Sequence, residues 1–164
     1  RDLHEPYRRQ RQMCIRDRNM QGGPLCGCGD RGCLEAYASG PSIVAMAEEY
    51  IRGGKSTKYR ELANPDITPY IVAVAAKEGD PVAKQIFRIM GEYIGMGLVS
   101  VVNLLNPEKI IIGGGVADAG DILLDPIRET IAKRAMTIQR EVEVVPAQLG
   151  NTAGVIGASL LIKS

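Results

Sequence analysis

The chain has no tryptophan, one phenylalanine and one histidine in 164 residues. It also has no internal repeat and no low-complexity linker, so a single domain is the default at this length. No run of about eighteen apolar residues occurs and no secretory hydrophobic segment opens the chain, which gives a soluble, cytoplasmic reading with no membrane partner. The net charge is only +1. That argues against polyanion binding as a whole-protein property, and no nucleic-acid partner is expected.

The charge is unevenly placed. Residues 1–18 hold six arginines against Asp2, Glu5 and Asp17, a local +3, while residues 19–164 balance to −2. This opening stretch has neither apolar periodicity nor a capping signal. Its string RRQRQMCIRD resembles translated sequencing-adaptor DNA, so residues 1–18 are expected to be a non-native or disordered basic tail, set aside from fold reasoning. A basic arm for nucleic acid is the alternative, and it lacks interleaved aromatics.

What the chain does have is Cys26-Gly-Cys28-Gly-Asp-Arg-Gly-Cys33-Leu-Glu35. Three thiols within eight residues cannot pair off as disulfides. Glycines between them let the backbone turn tightly and aim the sulfurs inward, as a tetrahedral zinc site requires. Scattered buried thiols are the plainer alternative. Glu35 sits where the loop hands over to the following segment, better placed as a neighbour of such a site than as a ligand.

Caps and periods outline the rest. Ser39 and Pro41 open a helix that stops at Gly53-Gly54. A polar loop leads to Thr68-Pro69 and a helix ending near Gly79. Asp80-Pro81 starts the longest helix, closed by Asn106-Pro107, with Val82, Ile86, Ile89, Tyr93 and Met96 as its apolar stripe. Gly91, Gly95 and Gly97 would each cost about 1 kcal/mol relative to Ala in an exposed helix, so another backbone is expected to pack closely there. Lys109–Ile112 reads as a buried strand breaking into Gly113-Gly114-Gly115. A helix over about 122–135, a strand within EVEVVPA and a last helix from about Ala153 complete an α/β pattern with a mostly parallel sheet. A strand running into glycines leaves backbone N–H groups without Cβ cover, open to a nucleotide; a tight turn with no ligand is the alternative.

Three motif matches fail on context. Gly27-x-Gly29-x-x-Gly32 follows no expected strand, Gly54-Lys55-Ser56 follows a helix and lacks the first P-loop glycine, and Gly91-x-x-x-Gly95 lies beside Arg88 and Glu92.

The cysteine motif CGCGDRGCLEAYASG, the segment KIIIGGGVADAGDILLDPIRE and the terminal LGNTAGVIGASLL, in that order, resemble the ROK family of repressors, unannotated reading frames and sugar kinases. The resemblance covers about residues 19–164. It implies the C-terminal lobe of an actin-like (ribonuclease H-like) ATPase fold, with a helical region following the zinc loop. It also implies ATP-dependent phosphoryl transfer to a hexose with ATP and magnesium, and a homo-oligomer in full-length members. Cys26, Cys28 and Cys33 would hold a structural zinc, Glu35 would bind sugar hydroxyls, and Gly113, Gly114 and Gly115 would line the adenosine side. The family's kinases carry an Asp-x-Gly-Gly-Thr phosphate loop and an Asn-Asp pair bearing the catalytic aspartate. Neither occurs here, so no catalytic residue is assigned and this polypeptide alone is expected to be inactive. The family's histidine ligand, about eleven positions before the first cysteine, falls on Ile15, and the one histidine is His4. A sugar-sensing repressor body is the alternative function.

Overall fold

The computed structural model describes residues 22–63, 66–136 and 141–161. The expected tail, with His4 and Cys14, lies outside them. The elements are α1 (Leu34–Tyr37), α2 (Gly40–Arg52), α3 (Lys58–Leu62), α4 (Pro69–Lys77), α5 (Pro81–Leu105), β1 (Lys109–Ile112), α6 (Asp121–Arg134), β2 (Glu143–Pro146) and α7 (Ala153–Leu161). Single 3₁₀ turns lie at Ala117–Ala119 and Gly150–Thr152.

Local chemistry sets the helix starts. The Ser42 amide donates to Ser39 Oγ at 3.3 Å and the Ser39 amide to Ser42 Oγ at 2.9 Å, a reciprocal capping box for α2. Thr68 Oγ1 accepts from the Ile71 amide to start α4. Asp80 is 2% exposed and accepts from the Val82 and Ala83 amides at 2.8 Å each. Its other oxygen accepts from the Lys58 amide at 2.6 Å. One carboxylate thus starts α5 and fixes the first residue of α3, an element absent from the sequence expectation of a plain polar loop. Tyr59 secures α3 from inside: it is fully buried and its hydroxyl donates to the Ala47 carbonyl.

The long helix α5 is the spine. By length and composition it could cross a membrane, yet here it packs against α1, α2, α4 and α6. Its buried residues are Ala83, Ile86, Phe87, Met90, Gly91, Gly95 and Val102. The expected stripe was therefore correct at Ile86 but displaced elsewhere, since Val82, Ile89, Tyr93 and Met96 are only half-buried. Gly91 and Gly95 join the buried line because α6 comes so close. A Cβ on Gly91 would stand 2.8 Å from both the Leu123 carbonyl oxygen and Pro126 Cβ. One on Gly95 would stand 2.6 Å from Thr130 Cβ. The expected close backbone approach is present at both positions.

β1 and β2 pair in parallel, Lys109 opposite Glu143 through Ile112 opposite Pro146, with α6 as the crossover. The Lys109–Glu143 ion pair at 2.9 Å closes one end of the register. Arg128 on α6 reaches the Val144 carbonyl with Nε and Nη2, at 3.1 and 2.9 Å, while its Nη1 donates to Asp121 and Asp125. The result is an α/β unit preceded by a helical region, as the sequence pattern implies.

Gly91→Ala is expected to destabilise the chain by about 1–3 kcal/mol, the usual cost of overpacking. That loss would replace the gain of about 1 kcal/mol that Ala brings to an unconstrained helix position. Denaturant unfolding checks it: an unchanged or higher midpoint would mean that α5 and α6 have room to separate.

Candidate functional site

Two chemically distinct features stand out among the described residues. The first is the cysteine loop. The Cys26 amide donates to the Asp30 carbonyl at 2.8 Å and the Gly29 amide to the Cys26 carbonyl at 2.9 Å. Leu25 and Arg31 form an antiparallel bridge, so the loop is a minute hairpin. Gly29 at φ +88° and Gly32 at φ +75° take left-handed conformations that favour glycine. The turn brings Cys26, Cys28 and Cys33 Sγ within 4.8 Å of one another. Cys28 and Cys33 Sγ are 3.7 Å apart, too far for a disulfide at about 2.05 Å. Two sulfurs sharing a tetrahedral zinc, with bonds of about 2.3 Å, lie about 3.8 Å apart. The donor set and spacing therefore fit such an ion. Cys26 and Cys33 are buried and Cys28 half-buried.

Cys33 sits at the N-terminal boundary of α1, and Glu35 lies in the first turn. Cys26 Sγ is 3.7 Å from Glu35 Oε2, so the carboxylate lies against the sulfur cluster. The short helix is then pinned to the spine. Tyr37 stacks on Tyr93 of α5 with ring centroids 4.2 Å apart and planes at 24°. Desolvation, with a smaller contribution from Tyr93, raises the Tyr37 pKa above the ordinary phenol value. Gly23 abuts the hydroxyl end of Tyr37, where a Cβ would collide with the Tyr37 hydroxyl and come within 2.9 Å of Gly32 Cα. Sequence reasoning missed the Tyr37–Tyr93 contact. The half-buried Tyr93 on the flank of the long helix was its only trace.

The second feature is the glycine turn. Gly113, Gly114 and Gly115 follow β1 directly and all three are exposed. Gly114 has φ +90°, and its carbonyl accepts from the Ala117 amide at 3.0 Å, starting the 3₁₀ turn. The Ala147 amide donates to the Ile112 carbonyl at 2.8 Å. The segments leaving both parallel strands therefore run side by side at the carboxyl end of the sheet, where open α/β sheets bind ligands.

Beside this turn lies a groove of about 480 Å³, within the range of small-molecule sites. Ile43 and Phe87 are among its lining, together with one face of α4, and Gly115, Val116 and Asp118 lie on the glycine-turn side. Lys77 Nζ donates to the Asp118 carbonyl at 2.8 Å and ties α4 to that side. The part that α4 plays in lining the groove was not expected from the sequence, although Tyr70, Ala73, Val74 and Lys77 do repeat at helical spacing.

A sequence model of the ROK family matches residues 12–164. The glucokinase of Streptomyces coelicolor is 37% identical in an alignment of 153 positions that covers 89% of this chain and 48% of that protein. The chain thus spans about half the length of this curated relative. A Streptomyces griseus ROK glucokinase structure, in complex with glucose and AMPPNP, is 35% identical with a TM-score of 0.74, over 85% of this chain and 47% of that one. A ROK transcriptional regulator structure, a homologue of the Escherichia coli Mlc protein, is 30% identical with a TM-score of 0.77, over 89% of this chain and 37% of that one. Cysteine loop, glycine turn and βαβ unit thus occur in a chain that belongs to the ROK family.

Proposed function

We propose that the chain is the C-terminal lobe of an actin-like ATPase-fold hexose kinase, of glucokinase type, that transfers the γ-phosphate of ATP to a sugar hydroxyl. The observation that carries this reading is the glycine turn at the carboxyl ends of two parallel strands, in a chain 35% identical to a glucokinase crystallised with glucose and AMPPNP. Gly113, Gly114 and Gly115 present backbone without Cβ cover to the adenosine side of ATP. Glu35, its carboxylate braced against the cysteine loop, accepts hydrogen bonds from hexose hydroxyls and orients the acceptor. Such transfer works mainly by positioning and charge stabilisation, with magnesium neutralising the phosphates.

Cys26, Cys28 and Cys33 are the residues that would hold zinc, whose contribution is structural: it locks the loop that carries Glu35. The general base is not assigned to any residue of this chain. The polypeptide by itself is therefore proposed to be inactive, and the whole protein to work as a homo-oligomer in the cytoplasm. A second reading, the sugar-sensing body of a transcriptional repressor, is favoured by the likeness to the ROK regulator.

An ADP-release assay on the 164-residue chain with glucose, fructose and amino sugars should stay at background; clear turnover would overturn the proposed inactivity. Joining residues 19–164 to the N-terminal half of the S. coelicolor glucokinase should restore hexose-dependent ADP release, and Glu35→Gln should remove most of it. A chimera that folds and binds ATP yet phosphorylates no sugar would favour the repressor reading.

Zinc content gives a separate check. Three thiolates bind zinc more weakly than a completed four-ligand site, so the purified chain should carry less than one zinc per molecule. Cys28→Ser should lower that further. One zinc per chain, released only slowly to chelator, would mean that the chain itself supplies a fourth donor.

A further inference from the structure

A metal-holding role leaves open what three sulfurs held this close do when they meet an oxidant. We propose that Cys28 and Cys33 form a reversible, peroxide-sensitive disulfide, with Cys28 as the sulfur attacked first and Cys33 as the one that resolves it. The switch is the same whether the chain serves catalysis or repression.

Burial separates the three thiols. Cys33 is fully buried and Cys26 is 4% exposed. Cys28 is half-buried and lies between the exposed Gly27 and Gly29 at the tip of the hairpin. A small oxidant therefore reaches Cys28 before the other two. Distance then selects its partner. Cys28 and Cys33 Sγ stand 3.7 Å apart, so a disulfide needs a closure of about 1.7 Å. Gly29 has φ +88°, and a Cβ built on it would meet nothing within 4 Å, so the tip has room to move. Cys33 is fixed as the residue before α1. Cys26 is held lower in the hairpin, its amide donating to the Asp30 carbonyl and its Sγ lying against Glu35 Oε2. An accessible thiol beside a resolving one is the arrangement that reversible oxidation requires.

The chemistry needs only a hydroperoxide. The Cys28 sulfur attacks one peroxide oxygen, forming S–O and breaking O–O, and the thiol proton leaves with the other oxygen as water. The Cys33 sulfur then attacks the Cys28 sulfur, forming S–S and breaking S–O, and its proton leaves with the hydroxide as a second water. Each sulfur gives up one electron and the peroxide takes both. The new bond consumes two of the three sulfurs proposed to hold zinc, so the metal is released. It also draws the start of α1 toward the tip. Glu35 in the first turn moves with it, while the Tyr37–Tyr93 stack holds the other end.

The test is non-reducing peptide mapping of the 164-residue chain after mild hydrogen peroxide, with zinc release followed by a chromogenic chelator. Trypsin cuts after Arg31, between the two cysteines, so only a disulfide keeps peptides 19–31 and 32–52 together. The linked pair should become the main form of Cys33, with fragment ions placing the bond at Cys28, and dithiothreitol should separate the peptides again. Bound zinc should appear in solution in step with the linked pair. Cys26→Ser should still give that pair, and in Cys33→Ser dimedone should trap a sulfenic acid at Cys28. Peptides that stay separate while Cys28 advances to sulfinic acid would overturn the proposal. A bond from Cys33 to any other cysteine, or to a second chain, would do the same. The wild-type map decides this by itself, so a variant that fails to fold leaves the result standing. Sugar phosphorylation enters none of these readouts, so their failure is distinct from failure of the proposed function.

Discussion

The close contact between α5 and α6 is the constraint on which the remaining geometry depends. Gly91 and Gly95 remove the side chains that would hold the two helices apart, and α6 presents Pro126 and Thr130 to the space they leave. Thr130 turns its Cβ and methyl to Gly95, while its Oγ1 donates to the Pro126 carbonyl at 2.7 Å and is satisfied within its own helix. Because α6 is the crossover between β1 and β2, its distance from α5 also sets where the parallel pair lies. The glycine turn begins where β1 ends. A seam of two glycines on one helix therefore determines the position of the glycine turn some twenty residues further along the chain.

Arg128 transmits that position to β2. Its guanidinium takes the Val144 carbonyl on one side and Asp121 and Asp125 on the other. The hydrogen bond to Asp121 is the largest contribution raising its pKa, so the group stays charged throughout any working range. The neighbouring carboxylates are exposed, and such pairs contribute little to stability on their own. The directional value is greater: a planar fork bonded to a strand carbonyl fixes the rotation of α6 about its axis. The same residue occupies a main-chain acceptor of β2 that another strand would otherwise find open.

Where a boundary is set by a few adjacent residues, it was legible in the sequence. Ser39, Thr68 and Asp80 each announce a helix, and the structure begins α2, α4 and α5 one residue after each. The cysteine loop was equally legible, since its glycines and thiols are contiguous and the turn they make is local. Long-range contacts were not legible. α3 exists because Asp80, twenty-two residues downstream, accepts from the Lys58 amide, and nothing within KYREL announces that bond. The core stripe of α5 was displaced because periodicity registers large apolar residues, whereas here the tightest contacts are made by glycines. The part of α4 in the groove was missed because Tyr70 and Lys77 look like an ordinary solvated face until Val116 and Asp118 are brought opposite them.

The cysteine loop and α5 are coupled by one aromatic pair. α1 has four residues and no buried side chain of its own, too short to hold its place by helix formation alone. The sulfur cluster fixes its start and the Tyr37–Tyr93 stack fixes its end. Glu35 lies between these two anchors, so its carboxylate direction follows from both and not from its own rotamer preference. Loosening either anchor would leave the other as a pivot, and Glu35 would swing with the helix. This explains why three cysteines, which touch no reacting atom in the proposed chemistry, stand next to the residue that would orient the sugar: on so short a helix, a side chain can be aimed only by what clamps the backbone at both ends.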